Sequence, residues 1–233
     1  MIILSNFQKD LKAEELMGKW LDKYFYSKLD CTQVGNLRVN KLSPPSRINE
    51  AQKAGVDIIL KDSLSEIYLV DEKAQFLYLN NPLPTFAFEI QYEKNGKVKE
   101  GWLFDDNKKT THYLLIYPKS KLKKTIYKVN HFEDFTNAEL LLINRERLKS
   151  ELKIKGVDKR ALNREVPKIK VNNKKIKIGD GELYLMKSGQ LTENPVNLVI
   201  KKQLLDRISI ARWEVSKVDI IENEEGIKWI KGT

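Results

Sequence analysis

Cysteine is nearly absent. Cys31 stands alone, so no disulfide can form within the chain, and a zinc site built from several cysteines is excluded. Cys31 has no evident base beside it and no claim to be a nucleophile. A reducing cytoplasmic compartment is the expectation for such a chain. Histidine is scarce too. His112 and His131 lack partners at metal-ligand spacing and read as structural. The chain has no Gly-rich phosphate loop, which argues against a nucleoside triphosphatase. Long apolar runs are missing as well: none approaches the ~20 residues needed to cross a bilayer. Met1-Ile2-Ile3-Leu4 is too short for a signal peptide and lacks a basic leader. No membrane partner is expected.

What is present is charge of mostly one sign. Lysine and arginine outnumber aspartate and glutamate 42 to 32, for a net charge of +10. That excess fits a polyanion partner such as nucleic acid. It also fits a merely lysine-rich, soluble surface. The length of 233 residues suits one large domain or a domain with an appendage.

The stretch with the most unusual chemistry is 55–75, which reads as two strands joined by the polar turn 61–65. Asp57 sits inside the first apolar strand, and Asp71 and Lys73 end the second. Ionised groups in an apolar hairpin are costly unless something binds them. Residues two apart in a strand share a face, so Asp71, Lys73 and Gln75 line up, and pairing across the turn can bring Asp57 beside Asp71. Two converging carboxylates repel, and a hard divalent cation relieves the repulsion. Lys73 could then contact a phosphate oxygen or help position and deprotonate the attacking water. Three other acid-x-Lys triplets (Asp10-x-Lys12, Asp106-x-Lys108 and Glu151-x-Lys153) fall on expected helices or turns. The bland alternative is an edge-strand charge pair that blocks aggregation.

Around that hairpin, residues 9–26 read as a helix with Leu16, Met17, Trp20, Leu21, Tyr24 and Phe25 on its buried stripe. Its early acids Glu14 and Glu15 complement the helix dipole, or one of them reaches the site. Residues 30–45 read as irregular, and 46–54, with Gln52, as a short polar helix. A third strand is expected at 85–92, carrying Glu89 and Gln91 on one face, and a central fourth at 111–117, ended by Pro118. Residues 101–104 read as a short strand or half-buried loop. Further on, 137–155 reads as a helix stopped by Gly156, and a shorter helix follows at 158–164. Residues 168–178 read as a basic hairpin, 201–209 as a helix and 218 onward as a strand. The basic segments 119–128 and 168–177 are candidate phosphate binders.

Asp57 within Gly55-Val56-Asp57, followed by Asp71-Glu72-Lys73 at the end of the next strand, resembles the PD-(D/E)XK nuclease superfamily. Val56 stands where that motif has proline. The resemblance covers roughly residues 9–118. It implies an α/β fold: a restriction-endonuclease-like mixed sheet flanked by helices, with an α+β C-terminal part. It also implies that Asp57 and Asp71 are metal ligands and Lys73 the catalytic lysine. Glu89 is then a further metal ligand, and Gln75, Gln91, Glu15 and Gln52 are accessory residues. The cofactor implied is Mg²⁺, with Mn²⁺ as a substitute. The implied activity is a DNA endonuclease, of a restriction or defence type, with RNA as an alternative substrate and a homodimer as one assembly. The division expected is a core at 1–135 and a C-terminal part at 136–233 for DNA contact, dimerisation or target choice. The competing reading is a non-catalytic nucleic-acid-binding protein that retains the fold.

Overall fold

The computed structural model describes residues 7–29, 32–33, 50–62, 64–76, 79–80, 84–122, 129–169, 175–187 and 193–222. In chain order the elements are α1 (Phe7–Tyr24), β1 (Thr32–Gln33), α2 (Glu50–Lys53), β2 (Ile58–Lys61), β3 (Ile67–Ala74), β4 (Thr85–Lys94) and β5 (Lys97–Glu100). There follow β6 (His112–Ser120), β7 (Phe135–Asn144), α3 (Arg145–Ile154), α4 (Lys159–Glu165), β8 (Ile176–Ile178) and β9 (Leu183–Lys187). The described chain closes with β10 (Val196–Lys201), α5 (Lys202–Ile208), β11 (Ala211–Ser216) and β12 (Ile220–Glu222). The class is mixed α/β with two sheets. No helix among the described residues is long and apolar enough to cross a membrane.

The chain divides into two compact units that interleave in sequence. One takes its described residues from 7–82, 108–144 and 209–222, and the other from 83–107 and 145–208. The first unit is a seven-stranded sheet in the order β1-β2-β3-β6-β7-β11-β12. Only β3 and β6 run parallel, in the register Asp71↔Tyr113 and Lys73↔Leu115. Helix α1 packs on one face of this sheet because Ala13, Leu16, Met17, Trp20 and Leu21 recur at helical spacing and are all buried. Trp20, Phe25, Phe135 and Trp213 are almost wholly buried in the same core, and Phe25 meets Trp213 edge-on at 5.1 Å. Each such side chain contributes roughly 2–3 kcal/mol by burial. An exposed ion pair such as Lys19–Glu15 adds under about 1 kcal/mol. Burial therefore holds α1 in place.

The second unit is a five-stranded antiparallel sheet, β5-β4-β10-β9-β8, with α3, α4 and α5. Asp158 caps α4, accepting from the Ala161 N–H at 2.8 Å.

Several expectations change. The strand at 85–92 is β4, but it belongs to the five-stranded sheet, so the strand beside β3 is β6. The parallel step from β3 to β6 needs a long connection, and here it passes through the β4–β5 hairpin of the other unit rather than through a helix. Residues 137–144 form strand β7, and the helix begins only at Arg145. Ala138, Leu140, Leu141, Leu142 and Ile143 are all buried because both faces of β7 are covered. An apolar run buried on two faces looks the same in sequence as a buried helix. Strand β6 runs past Pro118 to Ser120, and the ladder registers the disturbance one step later, between Lys119 and Ser120. Position 135, the expected division, is the first residue of β7, which pairs with β6. The irregular segment 30–45 lies almost wholly outside the described residues, as do 123–128 and 170–174 of the two basic segments. Of the helix expected at 46–54, the described part is α2.

Candidate functional site

Strands β2 and β3 are built by alternation. Ile58 and Leu60 from β2, with Tyr68, Val70 and Ala74 from β3, face the core under α1. Asp57, Ile59, Leu69, Asp71, Lys73 and Gln75 therefore face the other way. The hairpin register is set at its turn by Asp62. Its Oδ1 accepts the Leu64 and Glu66 N–H groups, each at 2.9 Å, and its Oδ2 accepts the Tyr68 hydroxyl at 2.9 Å. With Ile58 opposite Val70, the ladder extends one step further, and the Asp57 N–H donates to the Val70 carbonyl at 2.9 Å. That step puts Asp57 level with Asp71.

The expected trio meets. Lys73 Nζ donates to Asp71 Oδ1 at 2.6 Å, and the Asp57 and Asp71 carboxyls lie within hydrogen-bonding reach of each other. Asp57 is anchored by the Glu72 N–H, which donates to its Oδ2 at 2.9 Å. Asp71 is only 5 % exposed. Burial raises its pKa to about 7, the Asp57 charge adds to the rise, and Lys73 opposes it. Burial by itself would lower the pKa of Lys73, but Asp71, Asp57 and, further off, Glu14 outweigh it and hold the ammonium above its ordinary range. Lys73 is thus held as a cation and hydrogen-bond donor beside Asp71.

Glu14 is the α1 acid whose field reaches Lys73. Glu15, the one expected to be accessory, is instead paired with Lys19 one turn on, at 2.6 Å. Glu89 and Gln91 lie on β4 of the five-stranded sheet, opposite Asn197 and Val196 of β10, and so not on a strand beside β3. Gln75 ends the site face of β3, its N–H bonded to the Ile116 carbonyl at 2.9 Å. Gln52 lies on α2, and its side chain is outside the described residues. The three decoy triplets fall on α1, on the turn before β6 and on α3.

Sequence reasoning missed the residues that hold the site from outside the motif. Glu72, the middle of Asp71-Glu72-Lys73, turns to the α1 side, where the buried Tyr26 hydroxyl donates to its Oε1 at 2.7 Å. Gly55, two residues before Asp57, has φ +75°, and a Cβ there would come within 2.8 Å of the Thr110 hydroxyl. The Lys109 N–H donates to the Ala54 carbonyl at 2.8 Å, and Thr110 Oγ1 donates to the Gly55 carbonyl. These partners are about 55 residues away, and nothing local announces them. The glycine two before the acid was the one available signal.

His112, read as structural, is buried. Its Nδ1 lies 2.9 Å from the Thr111 hydroxyl and its Nε2 3.2 Å from the Asn144 amide, and burial lowers its pKa to about 4. It stays neutral across the physiological range.

The oxygen donors of Asp57 and Asp71 suit a hard divalent cation. Two carboxylates adjoin, and the second negative charge is costly where it stands. No larger cluster, of three or more His, Cys, Asp or Glu side chains able to hold a metal, occurs among the described residues. No family model, curated protein or solved structure shows a significant match to this chain.

Proposed function

We propose that the chain is a metal-dependent nuclease of restriction-endonuclease-like architecture that hydrolyses phosphodiester bonds in DNA. What carries the reading is one observation: Asp57 and Asp71 converge on one face of β2–β3 with Lys73 bonded to Asp71 at 2.6 Å. Asp57 and Asp71 would hold the divalent cation. A bound Mg²⁺ supplies Lewis-acid polarisation of the scissile phosphoryl group. The remaining work falls to the chain. Lys73 Nζ, charged at neutral pH, donates a hydrogen bond to a phosphate oxygen and offsets the charge that develops there. The Glu72 N–H keeps Asp57 oriented. Asp71 gives up its proton near neutrality, so the carboxylate form that binds a cation is favoured above about pH 7.

The test is relaxation or linearisation of supercoiled plasmid in Mg²⁺ and in Mn²⁺ by the full chain. Lys73→Ala is expected to cut the rate by about 100-fold or more, in line with the loss of one transition-state donor. Equal rates for both proteins would remove Lys73 from the reaction. The non-catalytic alternative draws on the near-complete burial of Asp71, whose carboxylate Lys73 already satisfies. It expects salt-sensitive DNA binding without cleavage in either metal.

A further inference from the structure

The hairpin of β4 and β5 turns at Asn95 and Gly96, both at positive φ (54° and 70°), the turn that suits the twist of a two-stranded ribbon. Its register pairs Tyr92 with Lys99 and Lys94 directly with Lys97. Alternation therefore puts three lysines and one tyrosine on a single face of the ribbon. Lys94, Lys97 and Lys99 are exposed, and among the described residues none of them has a carboxylate partner. Like charges directly opposite each other destabilise a ladder, yet Lys94 and Lys97 stand that way. The acids of the hairpin tip do nothing to offset this. Glu93 faces the other side, where it pairs with Lys187 at 3.6 Å and accepts from the Asn194 amide at 3.0 Å. Glu100, on that same side, is taken by Lys159 at 2.8 Å. Burial and the fields of Glu89, Glu193 and Asp105 raise the pKa of Tyr92 on that face, but among the described residues none of these acids pairs with a lysine of the ribbon, so three lysine charges stand on one face at the edge of the five-stranded sheet.

We propose that the β4–β5 ribbon is a nucleic-acid contact surface, its lysine face lying on the phosphates of a duplex. A two-stranded ribbon is also one of the shapes a DNA major groove admits. The proposal rests on the nuclease reading only for the choice of duplex DNA as the polyanion. Its test therefore reads binding, without divalent cation.

Fluorescence anisotropy of a labelled 30-base-pair duplex, titrated with full-length protein in EDTA across a salt series, measures it. The triple variant Lys94→Ala, Lys97→Ala, Lys99→Ala is expected to bind about tenfold more weakly or worse. The slope of log affinity against log salt is expected to fall by roughly 2–3, about one per lost phosphate contact. The Lys→Arg triple at the same positions is expected to bind like wild type, which ties the loss to the charges of this surface. Three results would overturn the proposal: no duplex binding by the wild type, an unchanged slope in the Ala triple, or an equal loss in a charge-matched triple at Lys23, Lys109 and Lys153. If the lysines only guard a free sheet edge, the Ala triple self-associates while its affinity stays unchanged, which also overturns it. Absence of cleavage in the plasmid assay leaves this reading standing.

Discussion

Asp71 has neighbours that pull its proton in opposite directions. Burial and Asp57 favour the neutral acid, Lys73 favours the carboxylate, and the balance lies at a pKa of about 7. In the unfolded chain the value returns to 3.8. The folded state therefore binds the proton more tightly. The stability this group contributes is complete below about pH 3.8 and is lost as pH rises through 7. The size is roughly 3–5 kcal/mol. Asp71→Asn removes the titration, so urea-unfolding free energy measured from pH 4 to 8 should fall less steeply in the variant than in the wild type. Parallel curves would show that Asp71 titrates where it does in the unfolded chain. The pairing of Asp57 with Asp71 was legible in the sequence because alternation and a short turn leave few registers. The burial that sets the pKa was not, since it depends on the strands and segments around β3.

At the scale of the element, the turn of the β2–β3 hairpin depends on Asp62. One buried carboxylate satisfies two backbone donors and the Tyr68 hydroxyl, and burial with Asp62 beside it raises the tyrosine pKa to about 12. Asp62→Ala strands all three donors and is expected to cost about 2–4 kcal/mol in urea unfolding. Slippage of the hairpin would carry Asp57 off Asp71, so under the proposed function plasmid cleavage should fall with stability. Retention of full stability would show that the turn holds without its acid. Asp62 was visible in the sequence only as a turn residue, because its acceptor role depends on where the chain after the turn returns. Strand β7 marks the opposite limit. Its run of apolar residues at 140–143 reads equally as part of a buried helix, and its position between β6 and β11 makes it a strand.

At the scale of the whole molecule, neither unit is a continuous piece of chain. A fragment of residues 1–135 would lack β7, β11 and β12 of the seven-stranded sheet and β8, β9 and β10 of the five-stranded one. It would leave β6 with an open edge and expose Leu114 and Ile116, which are nearly fully buried in the complete chain. Such a fragment is expected to be unfolded or aggregated, with no cooperative thermal transition by circular dichroism. A cooperative transition in the fragment would show that the core closes without the later strands.

The amino-acid sequence by itself determined the local pieces: the amphipathic stripe of α1, the alternation in β2 and β3, the central strand β6 and the Asp57–Asp71–Lys73 set. These rest on helical or strand periodicity and on a tight turn, all of which act within about 20 residues. Tertiary structure alone decided which sheet β4 joins, which of Glu14 and Glu15 acts on Lys73, and that Thr110 and Tyr26 brace the motif. Those outcomes depend on contacts between segments far apart in the chain. Long-range pairing is chosen by the burial of whole faces, which no short window of residues contains.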